Sequence, residues 1–251
     1  MVGVMALAGT QARAAQELEV ASMSIEDLMN VEVTTVSRKS QRLTDTAAAA
    51  FVVTADDIQR SGSTSIPEAL RMVQGLEVAR ASGSRWAVTA RGFNGRFANK
   101  LLVLIDGRSA YSPFFSGVFW EAEDVLLEDV DRIEVIRGPG ATMWGANAVN
   151  GVINILTRNA RRTQGGLATA LVGNEGQRTG AVRWGAQVDE DTHYRLWAKS
   201  VRRDSVQASD GTPGADDVDA VRAGRRLDRD LSGTARVMAT ANVFDTKSGE
   251  V

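Results

Sequence analysis

The sequence predicts an α+β domain of short helices and a small mixed sheet, followed by a run of long antiparallel strands. Two observations support this division. Helix-capping signals and short apolar segments alternate as far as Thr157. Beyond Arg158 the helix signals stop, and apolar residues recur at every second position.

Three short helices are predicted from their N-terminal capping residues. Each begins with a Ser or Thr that is followed three residues later by an acidic side chain. The pairs are Ser24 with Asp27, opening Ile25–Met29, Thr54 with Asp57, and Ser65 with Glu68, which is predicted to be a full capping box. Apolar residues of the third helix recur at helical spacing and are expected to form one buried face. They are Ile66, Ala69, Leu70 and Val73.

Short strands are predicted wherever β-branched or large apolar residues cluster between turn residues. They are Phe51–Thr54, Leu76–Arg80, Trp86–Arg91, Leu101–Ile105, Arg132–Ile136 and Val152–Thr157. Mixed with the helices, these strands predict an α+β domain that ends near Thr157.

Longer segments alternate between apolar and polar residues in the second half of the chain, at 178–188, 194–201 and 235–243. Such runs are typical of a transmembrane barrel wall, but the strands of a soluble β-sandwich alternate equally well. Alternation alone leaves both possibilities open. Ala223–Arg229 fits neither face of a membrane strand, because arginine occurs on both sides, so we expect it near a rim.

The composition excludes several classes of chemistry. The chain has 251 residues, no cysteine and a single histidine, His193. Disulfides, cysteine-based zinc sites, histidine-based catalytic triads and multi-histidine metal sites are therefore ruled out. The net charge of −2 provides no basic field for nucleic acid. We predict a protein that is not an enzyme, has no cofactor or metal site, and has no nucleic-acid partner.

The N-terminus has the pattern of the back half of a secretory signal peptide. A short apolar run, Val2–Gly9, precedes the small-x-small sequence Ala12-Arg13-Ala14. The basic region that should come before it is missing, so the chain is expected to be a fragment. An ordinary apolar N-terminal segment is the alternative.

The most informative segment is Asp129–Arg158, DVDRIEVIRGPGATMWGANAVNGVINILTR. It contains a strand, then Arg137-Gly138-Pro139, Trp144-Gly145, and a final strand beginning at Gly151. With Arg91-Gly92-Phe93 and Leu101–Gly107 upstream, this order resembles the plug domain of TonB-dependent outer-membrane receptors. The resemblance extends from about Gln41 to Arg158. Where that family often has a second glycine, this chain has Asn150.

The resemblance implies an α+β plug domain, a small mixed sheet with short helices, followed by the first antiparallel strands of a transmembrane β-barrel that is incomplete in this chain. The implied parts are a partial signal peptide (1–14), an N-terminal coupling segment (15–40), the plug (41–158) and the start of the barrel (159–251). The implied location is the bacterial outer membrane, with the N-terminal segment in the periplasm.

The implied function is import energised by TonB and its inner-membrane motor complex, with the plug gating the barrel. The default cargo is a ferric siderophore or other iron complex, with cobalamin, haem, a carbohydrate or a peptide left open. The alternative is a secreted soluble binding module, an α+β domain plus a β-sandwich, without a transport role.

Three groups of site residues follow from the resemblance. The plug arginines Arg91 and Arg137 are expected to pair with carboxylates of the barrel wall, the alternative being solvated surface charges. Plug loop tips are expected to contact the cargo, although these rings could instead pack the plug. The tip residues are Asn94, Arg96, Phe97, Tyr111, Phe114, Phe115 and Trp120. The expected TonB contact is Val31, Val33, Thr34, Thr35 and Val36, β-prone residues able to add a strand to a partner. The alternative is a plain strand that leads into the plug.

Overall fold

The computed structural model of the chain contains two compact units. The α+β unit comprises Thr10–Ala81 and Arg85–Thr157, and the sheet unit comprises Met1–Gly9, Ser82–Ser84 and Arg158–Val251. The structure describes residues 3–6, 32–33, 41–42, 49–83, 85–92, 95, 98, 100–112, 114, 117–138, 144–145, 147–174, 176–205, 214–232 and 235–249.

The described residues form mostly strands, with two short α-helices and two 3₁₀ turns. The strands are β1 (Gly3–Ala6), β2 (Glu32–Val33), β3 (Gln41–Arg42), β4 (Ala49–Thr54), β5 (Leu76–Arg80), β6 (Trp86–Ala90), β7 (Leu101–Ile105), β8 (Arg108–Ser109), β9 (Tyr111–Ser112), β10 (Gly117–Val118), β11 (Val130–Arg137), β12 (Gly151–Thr157), β13 (Gly165–Val172), β14 (Arg178–Asp189), β15 (Thr192–Arg203), β16 (Val218–Ser232) and β17 (Ala235–Ser248). The helices are α1 (Ala55–Ser61) and α2 (Ile66–Leu70), and the 3₁₀ turns are Leu127–Asp129 and Ala160–Arg162.

The α+β unit is built on a five-stranded mixed sheet in the order β4-β11-β12-β7-β8. Only the β12–β7 pair is parallel; the other pairs in this sheet are antiparallel. β5 and β6 form a separate two-stranded sheet. All six predicted short strands are confirmed. The strand predicted to end at Arg91 ends at Ala90, because Arg91 adopts a positive φ of 63°.

The helix caps explain where α1 and α2 begin. Thr54 and Asp57 form the reciprocal capping box of α1, with the Asp57 carboxylate accepting from the Thr54 N–H at 2.9 Å. At α2 the prediction of a reciprocal capping box between Ser65 and Glu68 is wrong. The Ser65 hydroxyl accepts from the Glu68 N–H, but the Glu68 carboxylate reaches back to the Thr64 N–H at 2.7 Å. The predicted helix Ile25–Met29 lies outside the described residues.

Both faces of the five-stranded sheet are buried. The predicted apolar face of the third helix is confirmed, since all four of its residues are buried. They join sheet residues on one side in a single core that includes Val53, Val103, Ile133 and Ile153. A second, smaller cluster covers the other side and comprises Leu102, Leu104, Ile136, Ala148 and Val152, with Trp144 packed against it.

The sheet unit is a single antiparallel sheet in the order β1-β13-β14-β15-β16-β17. Its long strands confirm the alternating segments predicted at 178–188, 194–201 and 235–243. The expectation that Ala223–Arg229 lies near a rim holds only for the end of the segment: Arg229 lies opposite Thr192 at the β14–β15 turn, whereas Ala223 lies in the middle of β16. Arg226 and Asp228 lie on the buried face and pair with each other, while Arg225 and Arg229 lie on the exposed face.

The first strand of this sheet falls within the predicted signal peptide. Residues Gly3–Ala6 pair antiparallel with β13, in a register that places Gly3 opposite Val172. The rest of that predicted segment lies outside the described residues.

The distribution of apolar and charged side chains on this sheet is the reverse of that in soluble proteins, and we call it the inverted sheet. Large apolar side chains are exposed on one face, among them Val182 (56%), Trp184 (58%) and Leu196 (48%). The opposite face is buried although it carries charge. Its buried residues include Arg195, Lys199, Arg203, Arg222, Arg226 and Asp228. A soluble β-sandwich buries its apolar face, whereas a transmembrane strand turns that face outward to lipid.

No helix in the described part of the chain is long and apolar enough to cross a membrane.

The exposed apolar face leads to a prediction about depth. Val182 pairs with Ala168 and Ala198 in the middle of the sheet, and Val188 lies beside the end of β14. In the protein folded in lipid vesicles, Val182→Arg should lower the free energy of unfolding by about 2–4 kcal/mol and Val188→Arg by about 0–1 kcal/mol. Urea titration measures both. Equal losses would contradict a membrane-facing sheet.

Candidate functional site

The candidate site begins at the end of β6, where the chain reverses in a left-handed turn. Arg91 has φ 63° and Gly92 has φ 86°. The buried Thr89 hydroxyl donates to the Gly92 carbonyl at 3.3 Å and so closes this turn. A left-handed conformation is unfavourable for a non-glycine residue, so Arg91 is held there by its surroundings. Its side chain is exposed.

The second turn of the site follows β11. Arg137 is the last residue of that strand, and Gly138 has φ 132°. The half-buried Arg137 side chain crosses Gly75, where an added Cβ would lie 2.8 Å from Arg137 Nη1 and 3.2 Å from Arg137 Cδ. Gly75 also has φ 80°, so glycine is required there for both backbone conformation and space.

The structure brings the turn at Arg91 next to the turn that follows Arg137. A Cβ added to Gly138 would lie 3.8 Å from Arg91 Nη2, so the Arg91 guanidinium reaches the residue that follows Arg137. Among the described residues, neither arginine has an ion-pair partner, and the buried Arg137 Nε has no hydrogen-bond partner. A buried guanidinium N–H normally has an acceptor. This pair of cations is therefore suited to carboxylate ligands.

A loop with an aromatic tip forms the other part of the site. Its base is closed by a two-pronged ion pair, in which Arg108 Nη1 and Nη2 donate to the Glu123 carboxylate at 3.1 and 2.6 Å. The hydrogen bond to Glu123 raises the pKa of Arg108. Within the loop, β9 and β10 form a small hairpin. Phe114 lies between these strands with 91% of its surface exposed, and Tyr111 is half-buried.

One of the predicted loop-tip residues occupies a different place. Trp120 is only 5% exposed and packs in the main hydrophobic core with Val118 and Ala110. Its ring anchors the loop, so Trp120 is unsuited to cargo contact and we remove it from the proposed surface. Asn94, Arg96, Phe97 and Phe115 lie outside the described residues.

Comparison with known proteins identifies the α+β unit. Residues 42–152 match the family model described as the TonB-dependent receptor plug domain. The α+β unit therefore matches the plug domain of TonB-dependent receptors. Members of this family are receptors and transporters of the outer membrane rather than enzymes.

Individual relatives agree with this identification. The chain is 29% identical over 201 residues to the vitamin B12 transporter BtuB of Vibrio cholerae, an alignment that covers 80% of this chain and 32% of the relative. It is 30% identical over 148 residues to BtuB of Vibrio vulnificus, covering 58% of this chain and 23% of the relative. The chain thus spans about a third or less of the length of these curated relatives.

Solved structures share the fold at lower sequence identity. The pyoverdine outer-membrane receptor FpvA of Pseudomonas aeruginosa has a TM-score of 0.70 at 18% identity, covering 89% of this chain and 31% of that one. The ferric-catecholate import receptor Fiu of Escherichia coli has a TM-score of 0.63 at 21% identity, covering 83% and 28%. These structures support the fold class of a plug followed by barrel strands.

The sheet unit contains few carboxylates that could serve the plug arginines. Its buried face is mainly cationic, and the buried acids are Asp216 and Asp228. Asp216 accepts from the Gly83 N–H at 2.8 Å, and Asp228 accepts from Arg226 Nε at 2.7 Å. Both acids already have partners in their own unit, so the expected pairing of Arg91 and Arg137 with wall carboxylates remains a prediction.

The described part of the coupling segment is short. Val33 belongs to β2 and pairs with Gln41 of β3. Val31, Thr34, Thr35 and Val36 lie outside the described residues. Among the residues that the structure does describe, no group of His, Cys, Asp or Glu could hold a metal ion.

Two residues of the site were not identified from the sequence. Gly75 follows the third predicted helix and makes room for Arg137. Asn150 was noticed only as a departure from the family pattern, yet its side chain donates to the Ala90 carbonyl at 3.0 Å. The asparagine in place of the family's usual glycine was the feature of the sequence that could have marked this position as functional.

The geometry around Arg137 predicts a local effect. Breaking a buried ion pair costs about 3–5 kcal/mol, whereas an exposed pair contributes about 0–1 kcal/mol. In the full-length protein expressed in its host, Arg137→Ala should raise hydrogen exchange across 132–155, while the long strands β13–β17 of the sheet unit stay protected. Arg137→Lys should restore only part of this protection, because an ammonium cannot form the planar two-pronged contact. Unchanged exchange in both variants would show a solvated surface charge.

The aromatic loop allows a matched pair of variants. Phe114→Ala should weaken cargo binding several-fold without raising hydrogen exchange in the plug, because its ring is exposed. Trp120→Ala should destabilise the plug by about 3–5 kcal/mol through loss of a buried ring. Cargo binding to whole cells and exchange of the plug peptides measure the two effects. Loosening of the plug by Phe114→Ala would contradict its assignment as a loop tip.

Proposed function

We propose that the chain is part of an outer-membrane receptor that imports a scarce substrate with energy delivered by TonB, and that the plug gates the barrel. The observation that carries the proposal is the succession of a plug domain and a sheet whose apolar face is exposed and whose charged face is buried. The comparisons cover only part of the relatives' length, so the activity of the whole receptor is an inference.

The inverted sheet supports placement in a membrane rather than in solution. Exposed Val182, Trp184 and Leu196 would face lipid, and the buried charged residues would face the interior. In a secreted soluble module, these apolar side chains would remain in water while the charged side chains were removed from it, and both are energetically unfavourable. Fractionation of host cells separates the two functions, since only the receptor would remain with the outer membrane.

Energy has to reach the receptor by contact. The outer membrane has no nucleotide supply, so the force must come from the inner membrane through a partner protein. The proposed contact is the segment containing Val31, Val33, Thr34, Thr35 and Val36, which could add a strand to TonB by main-chain hydrogen bonds. The pairing of Val33 with Gln41 is consistent with an extended backbone at this point.

The gate is proposed to depend on the plug arginines. The Arg91 guanidinium lies beside Gly138, the residue after Arg137, and the two arginines would hold the plug through carboxylates of the barrel wall. Arginine suits this role because its planar guanidinium can bind a carboxylate through two hydrogen bonds. Cargo would bind outside this gate, on loop tips with Tyr111 and Phe114 and on Asn94, Arg96, Phe97 and Phe115.

The proposed cargo is a bulky metal complex, with a ferric siderophore or other iron complex as first candidate. Flat aromatic side chains such as exposed Phe114 provide contact area for such a chelate. Cobalamin is the second candidate, because the curated relatives described above are vitamin B12 transporters. Uptake of radioactive ferric siderophore and of radioactive cobalamin, by cells with and without the gene, distinguishes the two.

The coupling segment leads to a prediction about transport. Proline at Thr34 or Thr35 removes a backbone donor from any strand added to TonB. Either substitution in the receptor made by its host should abolish energised uptake while leaving surface binding of the cargo unchanged. Labelled cargo measured with and without a proton-motive-force uncoupler tests this. Persistent transport would place the coupling segment elsewhere, nearer Ala15–Val20.

A further inference from the structure

The two arginine turns belong to different sheets. Arg91 follows β6, which pairs only with β5 among the described strands, and Arg137 ends β11 in the five-stranded sheet. Separate sheets can shift against each other unless a contact joins them. The relative position of the two guanidinium groups therefore depends on what connects these sheets.

Asn150 connects three segments at this point. Its N–H donates to the Lys100 carbonyl at 2.8 Å, and its carbonyl accepts from the Gly138 N–H at 3.0 Å. Its side-chain Nδ2 donates to the Ala90 carbonyl at 3.0 Å. The first two bonds extend the ladders of the five-stranded sheet. The third crosses to the other sheet, at the residue before Arg91.

Only the third bond depends on the identity of the side chain. Any residue except proline could make the two main-chain bonds. Ala90 is fully buried, so without the Asn150 side chain its carbonyl would lose a hydrogen-bond donor that water is poorly placed to replace. The bond also lies directly before the left-handed Arg91, whose conformation persists only where neighbouring contacts enforce it.

We propose that Asn150 is a positioning residue that holds Arg91 and Arg137 together as one two-cation site for carboxylate ligands. This inference rests on the proposed function, in which the two arginines hold the plug. A neutral carboxamide suits the role, because it donates to Ala90 without adding a charge. An aspartate here could not donate, and its carboxylate would compete with the ligands of the two arginines.

A double-mutant cycle in the receptor made by its host tests this positioning role. Asn150→Ala, Arg91→Ala and the double variant are compared by hydrogen exchange in peptides covering β6 and the end of β11. Each single change should raise exchange about tenfold, the effect of losing roughly one net hydrogen bond. If Asn150 acts through Arg91, the double variant should exchange no faster than the faster single variant.

Controls separate positioning from a general packing effect. Asn147→Ala changes the same residue type nearby, where the side chain has no hydrogen bond among the described residues, and should leave exchange unchanged. Asn150→Asp keeps the size of the side chain but loses its donor, so it should exchange at least as fast as Asn150→Ala. If the alanine variant does not fold, the same cycle is run with Asn150→Asp.

The outcomes are distinct. If the double variant exchanges about a hundredfold faster, the product of the two single effects, Asn150 acts independently of Arg91 as a structural residue, and the inference is overturned. Protection fully restored in Asn150→Asp would overturn it as well. Coupling between Asn150 and Arg91 in a receptor that takes up no cargo under energised conditions would support the inference and defeat the transport proposal.

Discussion

The charged side chains buried on one face of the long sheet require hydrogen-bond partners, and this requirement fixes how the neighbouring segments pack. A charge removed from water is tolerated only where partners replace the lost hydration, and an unpaired one would cost several kcal/mol. Asp228 receives hydrogen bonds from Arg226 and from the Ala160 N–H at 2.8 Å. Arg195 donates to the Arg158 carbonyl at 2.6 Å. The segment from Arg158 onward therefore supplies main-chain partners for strands that come much later in the chain.

This pairing explains features that look unfavourable in isolation. A side chain at position 185 would clash with the Thr163 carbonyl. Gly185 therefore allows the segment after Arg158 to lie directly against β14. Arg226 in β16 is paired with Asp228 on the buried face, whereas Arg225 and Arg229 lie on the exposed face. The large apolar side chains Leu227 and Leu231 lie on that exposed face as well. An aqueous sheet would need the opposite distribution, because burial of apolar surface is its main stabilising term.

The sequence predicted those features that depend on neighbours along the chain. Strand positions followed from local apolar patterns, and the α1 cap followed from Thr54 and Asp57. Contacts between distant segments were less accessible. Burial of Trp120 depends on strands far from it in sequence, and the Asn150 side chain reaches Ala90 across two sheets. Periodicity could not assign a buried face to β16, because both of its faces carry arginine.

The polar contacts of Asp228 and of the plug arginines differ in kind. On the sheet, Asp228 accepts hydrogen bonds from Arg226 and from the Ala160 N–H within its own unit. Those at the plug arginines are incomplete, because Arg137 Nε is buried without a partner among the described residues. A site of the second kind depends on ligands that can be gained or withdrawn. A gate requires this property, since a plug whose charges were all satisfied internally would gain nothing from binding the wall and lose nothing on release.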